Sequence, residues 1–225
     1  IGWAAGPYAF AEGKLAVATE DRAVVFESFL MSVDGESVLD WRSSARVLEG
    51  KAVWTPDGKV TTLRDQMVVN GEQYTTEVSM FVEDGAFKLR FGTPTVQRDK
   101  RGSPRFTLLG VGPASEKAHR VYAGFGNVIQ EPGRFTLGEG GFSLSTRHVG
   151  VDYENGLSVL QASDVFPYRF DVDPERQLYS LQTGHDATLM LVPSTKGAFA
   201  AAKVYRKASG FSPAGGVEKL KGRMC

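Results

Sequence analysis

The chain has 225 residues, enough for one or two domains, and an all-β sandwich of about 200–250 residues commonly counts as one. Lysine plus arginine number 26 and aspartate plus glutamate number 26, so the formal net charge is zero and no overall field draws the chain onto nucleic acid or an anionic membrane. Hydrophobic residues at 42% exclude a disordered chain, and 26 glycines with 10 prolines favour many short elements over a helix bundle.

The single cysteine, Cys225, excludes an internal disulfide and a cysteine-based zinc site. No stretch approaches the ~18–20 apolar residues of a membrane span. The opening Ile1-Gly2-Trp3 has neither a Met nor a basic leader before an apolar run, so it does not read as a signal peptide. It reads as a chain cut from something longer.

Strands are expected at 14–19, 23–31, 45–54, 59–69, 73–82, 87–91, 104–111, 119–125, 142–149, 157–163, 168–172, 177–182 and 187–192. Phe87-Lys-Leu-Arg-Phe91 and Tyr168-Arg-Phe-Asp-Val172 alternate, with apolar side chains on one face and charges on the other. Ala23 to Met31 is apolar on both faces and is expected as a central strand, as is Leu189 to Val192. Asp34-Gly35, Asp57-Gly58, Asn70-Gly71, Asp84-Gly85 and Asn155-Gly156 are the dipeptides of type I′ hairpin turns, which need positive φ at both central residues. Together they predict an antiparallel meander.

One segment departs from this pattern. Residues 196–208 are rich in helix formers, Ser194 or Thr195 can cap their start, basic residues fill the last turn, and Gly210 suits the position after the end. Residues 1–208 are therefore expected to form one domain. Ser209 to Gly216 reads as a linker, and 217–225 as the start of a following domain in which Cys225 would be a small buried hydrophobe.

Chemistry-bearing motifs are sparse. His119, His148 and His185 have no ligand spacing, and no metal or cofactor is expected. Asp171, Asp173 and Glu175 match the start of a calcium loop, but Arg176 stands where Gly is needed and Gln182 where Glu is needed, so the segment reads as a solvated turn around Pro174. There is no phosphate loop, and no nucleophile elbow. A glycosidase needs two carboxylates, but nothing in 26 acids singles out a pair, and no catalytic residue is nominated.

The richest constellation lies between Tyr122 and Asp164. Phe142, Leu144, Thr146 and His148 share one face of an expected strand, and Ser143, Ser145 and Arg147 the other. His148 reads as an edge histidine or a ligand contact, and Arg147 as a surface ion-pair partner or a sugar clamp. Asp152, Tyr153 and Asn155 flank a turn where an aromatic face could stack on sugar C–H groups and polar groups could bond hydroxyls, unless they serve turn chemistry alone. His185-Asp186 sits between two strands, where neighbours would point to opposite faces. Trp3, Trp41 and Trp54 are sugar-platform candidates, though the last two lie in strand-like, core-like context.

Four motifs carry a family resemblance. They are Asn127-Val-Ile-x-x-Pro-Gly133; Ser145-Thr-Arg-His-Val-Gly-x-Asp-x-x-Asn-Gly156; Val172-Asp-Pro174; and Leu191-Val-Pro193. They resemble the galactose-mutarotase-like β-supersandwich domain that precedes the catalytic barrel in glycoside hydrolases of the endo-α-N-acetylgalactosaminidase type. The resemblance covers roughly a third of the chain.

It implies an all-β, two-sheet antiparallel supersandwich with one short helix near the C-terminal end. The implied role is a non-catalytic domain that supports a following barrel in the same parent and contacts carbohydrate. Candidate contacts are Arg147, His148, Asp152, Tyr153 and His185, and the implied location is extracellular or periplasmic. Two alternatives stand beside it: an aldose 1-epimerase-like enzyme, for which the family's Asn-His pair is missing here, and a purely structural interaction domain. Nucleic acid and membrane are not expected as partners.

Overall fold

The computed structural model describes residues 2–11, 14–27, 29–33, 36–40, 55–57, 60–69, 72–91, 95–96, 106–111, 113–123, 128–130, 132–137, 147–165, 167, 169–184 and 187–210. The expected strand at 45–54, the segment 142–146, the pair His185-Asp186, Trp41, Trp54 and the proposed linker beyond Gly210 lie outside them.

Among the described residues the fold is all-β with one helix, and every strand pairing is antiparallel. The strands form three sheets. The first is a four-stranded meander of β1 (Gly2–Ala5), β2 (Tyr8–Ala11), β3 (Lys14–Thr19) and β4 (Arg22–Phe26).

The second is a six-stranded sheet ordered β15-β18-β19-β12-β5-β6. Its strands are β5 (Phe29–Val33), β6 (Glu36–Asp40), β12 (Phe106–Val111), β15 (Phe135–Leu137), β18 (Arg169–Asp173) and β19 (Leu178–Gly184).

The third is a ten-stranded sheet ordered β14-β13-β16-β17-β20-β10-β9-β8-β7, with β11 paired to β9. It contains β7 (Thr55–Asp57), β8 (Val60–Val69), β9 (Glu72–Glu83), β10 (Ala86–Phe91), β11 (Thr95–Val96), β13 (Ala118–Tyr122), β14 (Val128–Gln130), β16 (His148–Tyr153), β17 (Ser158–Ser163) and β20 (Thr188–Ser194).

Two apolar layers cover the two faces of the large sheet. On one face Phe87, Leu89, Val121, Val149, Val151, Tyr153, Val159, Leu189 and Leu191 meet Tyr8, Leu15, Val17, Val24 and Phe26 of the meander and Phe170, Val172, Tyr179 and Leu181 of the six-stranded sheet. Burying each large apolar side chain contributes about 1.5–3 kcal/mol. On the other face Ala86, Leu160, Ala162, Met190 and Val192 meet Ala201, Tyr205 and Ala208 of α1 (Ala198–Ala208).

β17 and β20 lie under both layers. This explains why all six residues of β17 are buried and why Leu189 to Val192 is apolar on both faces, as expected of a central strand.

Two polar groups stitch the layers together. The Tyr8 hydroxyl lies 2.9 Å from the Leu191 carbonyl and 3.0 Å from that of Gly85. Gln161 of β17 points into the core, fully buried. Its amide donates to the Tyr179 carbonyl and accepts from the Leu181 N–H at 3.2 Å. β12 pairs with β19 at Gly184 and Thr183, so at Tyr179 and Leu181 Gln161 supplies what a neighbouring strand would.

Several expectations are corrected. Ala23 to Met31 is not one central strand: β4 is an edge of the meander and β5 belongs to the six-stranded sheet. The chain changes sheet near Glu27, whose N–H turns to the Pro113 carbonyl at 2.9 Å. A sequence run that is apolar at successive positions does not reveal that it is shared between two sheets.

Asp84-Gly85 forms the expected I′ turn, with φ of 50° and 80°. At Asn155-Gly156 only Gly156 has positive φ, 80°. Tyr153 bonds Gly156 and Leu157 across a three-residue loop, the pattern of a type I turn closed by a glycine bulge.

α1 begins at Ala198, and Gly197 is its cap, with no side-chain bond. Ser194 instead accepts the Lys196 N–H at 3.0 Å, a local turn that occupies the expected cap. Gly210 follows the end with φ 68°, as expected.

Candidate functional site

β16 sets the site by alternation. Val149, Val151 and Tyr153 enter the inter-sheet core, while His148, Gly150 and Asp152 lie on the face that carries α1. Register places Arg120 of β13 opposite Asp152, and Asp152 opposite Ser158 of β17. One row across three strands therefore carries a guanidinium, a carboxylate and a hydroxyl.

Tyr122 lies opposite Gly150. Its hydroxyl donates to Asp152 Oδ2 at 2.9 Å and accepts from Arg120 Nη1 at 3.3 Å. Ser158 donates to Asp152 Oδ1 at 2.5 Å. Arg120 Nε is buried with no hydrogen-bond partner among the described residues. Two hydroxyl donors thus fix the Asp152 carboxylate, which keeps further acceptor capacity on both oxygens.

The helix completes the patch. Gly150 lets α1 approach: a Cβ there would stand 2.6 Å from the Ala198 Cβ. That close approach brings Phe199 over Tyr122, with ring centroids 5.3 Å apart at 68°. Phe199 is nevertheless 69% exposed, one of two large hydrophobic residues exposed among those described. The exposed Phe199 ring, edge-on to the half-buried Tyr122 and beside a fixed carboxylate and a guanidinium, can stack on the C–H face of a sugar ring whose hydroxyls bond the polar groups.

The candidate residues are only partly gathered. Asp152 is in the patch. His148 lies on the same face with Gly150 and its overlying Ala198 between them, and its ring is 5.5 Å from that of Tyr205. Burial lowers its imidazole pKa below the ordinary 6.5. Arg147 donates to the Asp164 carbonyl at 2.8 Å, outside the patch.

Tyr153 is 1% exposed and points into the core, edge-on to Tyr179 and Phe26. Its hydroxyl is buried with no partner among the described residues, and desolvation raises its pKa. It cannot stack on a ligand, because β16 alternation puts it on the opposite face from Asp152. Asn155 serves its turn, accepting from Leu157 N–H at 3.0 Å and donating to the Ala23 carbonyl at 2.8 Å. His185 lies outside the described residues.

Arg120, Tyr122, Ser158 and Phe199 were not singled out in sequence. Phe199 had a signal: it falls off the helix face formed by Ala198, Ala201, Tyr205 and Ala208.

Two of the three calcium-like acids are otherwise engaged. Asp171 binds Arg169 and Thr136, each at 2.7 Å, and the Asp173 carboxylate lies within 4 Å of Arg134 and Arg176. Among the described residues no group of three His, Cys, Asp or Glu side chains is placed to hold a metal, and no helix is long and apolar enough to cross a membrane. No protein-family model matches the chain, and neither a curated protein nor a solved structure matches it.

Proposed function

We propose that this chain is a non-catalytic β-sandwich domain of a glycoside hydrolase, which supports the following catalytic barrel and contributes a carbohydrate-binding surface. The observation that carries the reading is the Tyr122–Phe199 pair beside Asp152 and Arg120 on the helix-bearing face. The motifs between Asn127 and Pro193 support the assignment to a glycosidase. An epimerase would need histidines open to a sugar, whereas the His148 ring lies against Tyr205 of α1.

The test is isothermal titration of the chain with a panel of neutral and acidic oligosaccharides, repeated with Phe199→Ala. Binding that weakens at least tenfold in the variant supports the surface. Absence of binding across the panel leaves only the supporting role.

A further inference from the structure

The outer side of α1 extends beyond the aromatic pair. Ala198, Ala201, Tyr205 and Ala208 face the sheet. Phe199, Lys203 and Arg206 are exposed and spaced by four and three residues, so they are neighbours along one outward stripe. Lys196, exposed in the turn before the helix, adds a further positive charge near its start.

α1 contains no acidic residue, although the whole chain has a formal net charge of zero. Lys207 is 3.5 Å from Asp84. Lys196, Lys203 and Arg206 have no carboxylate within ion-pair distance among the described residues, where ion pairs form elsewhere, as at Lys88–Glu83 and Arg169–Asp171. Lys203 and Arg206 of α1, with Lys196 in the turn before it, thus accompany the strongly exposed ring of Phe199 without a carboxylate partner among the described residues.

We infer that this stripe continues the Tyr122–Phe199 platform into a site for an acidic oligosaccharide, whose sugars carry anionic oxygens as carboxylate or sulfate. The inference rests on the carbohydrate reading and names its ligand class. One helical turn rises about 5.4 Å, so a chain lying along the stripe passes each cation in succession. Arg206 offers a planar fork that matches a carboxylate or sulfate, and Lys203 a point charge that tolerates varied geometry. The apolar sugar face meets Phe199, and the charged substituents meet the cations.

The experiment is isothermal titration of the 225-residue chain at low and high salt. The probes are hexagalacturonate, a sulfated chondroitin hexasaccharide, neutral maltohexaose and poly-glutamate of equal charge. At low salt at least one acidic hexasaccharide should bind about tenfold more tightly than maltohexaose, which three exposed ion pairs of ordinary strength supply together. The preference should shrink at about 1 M salt, where screening acts within roughly 3 Å.

Lys203→Glu/Arg206→Glu should bring the acidic-to-neutral ratio back towards one, with the fold checked by circular dichroism. A preference that survives this double variant overturns the inference, as does poly-glutamate binding as tightly as the acidic glycans. Equal affinity for neutral and acidic glycans, lost in Phe199→Ala, overturns it while sustaining the carbohydrate reading. Absence of binding to every glycan removes both.

Discussion

Gly150 is the position on which the helix, and with it the aromatic patch, depends. Its φ is not positive, so replacing it by alanine adds only a methyl group to an ordinary backbone. That methyl would stand 2.6 Å from the Ala198 Cβ, where carbon atoms pack at about 3.5–4.0 Å. Neither partner is a flexible side-chain end, so the start of α1 must lift by about 1 Å or β16 must sink.

Overpacking of this kind costs about 1–3 kcal/mol, and a change of about 2 kcal/mol lowers Tm by roughly 4–8 °C in a chain of this length. Gly150→Ala, Ala198→Gly and the double variant form a cycle measured by urea unfolding. Ala198→Gly alone should cost about 0.5–1 kcal/mol in helix propensity. Because it removes the opposing methyl, it should recover most of the Gly150→Ala loss, giving a coupling of about 1 kcal/mol or more. Additive losses in the double variant, or a Gly150→Ala protein as stable as the parent, would refute the close approach and the positioning of Phe199 that follows from it.

Three further outcomes follow from the packing. Gln161→Leu keeps most of the buried volume but strands the Tyr179 carbonyl and the Leu181 N–H inside the core, so chemical denaturation should show a loss of about 2–4 kcal/mol; a neutral result would mean these groups have another partner. Lys88 is only 7% exposed, and its ammonium binds Glu83 at 2.7 Å and the Ala208 carbonyl at the end of α1 at 2.9 Å. Lys88→Met should cost about 1–3 kcal/mol and speed hydrogen exchange selectively in the last turn of the helix, and uniform exchange would count against this latch.

His148 contributes to the pH dependence of stability. Its folded pKa lies below the unfolded 6.5, so the unfolded chain takes up the proton first. Its contribution is therefore fully present above pH 6.5 and is lost as pH falls towards the folded pKa. His148→Phe should flatten that part of the stability–pH curve, and an unchanged slope would show that another group sets it.

Several strands were legible because their chemistry is local, whereas β16, expected to end at 149, runs on to Tyr153, and the short β7, β11 and β14 were not expected. Lys14–Thr19, Val60–Val69, Glu72–Glu83 and Ser158–Ser163 stand within a residue or so of where alternation and turn dipeptides put them. Phe87 and Leu89 face the core as their period of two requires, and Gly210 ends the helix as its conformational freedom predicts. The N-terminal hairpin of β1 and β2 was missed, since small residues around Gly6-Pro7 carry little alternation.

The candidate site was legible only in Asp152. Tyr153, its neighbour, was grouped with it although adjacent strand residues point to opposite faces, and the structure takes it into the core.

What the sequence by itself determined is the class: an antiparallel all-β chain of zero net charge with one late helix. These properties depend on period, turn chemistry and composition, all of which act over a few residues. Tertiary structure alone decided that the apolar run from Ala23 is divided between two sheets. It alone decided that Gln161 supplies backbone partners to Tyr179 and Leu181 of β19 and that Gly150 seats a helix carrying Phe199 onto Tyr122. Those outcomes arise from contacts between segments tens of residues apart, where steric fit and the pairing of buried polar groups select one arrangement.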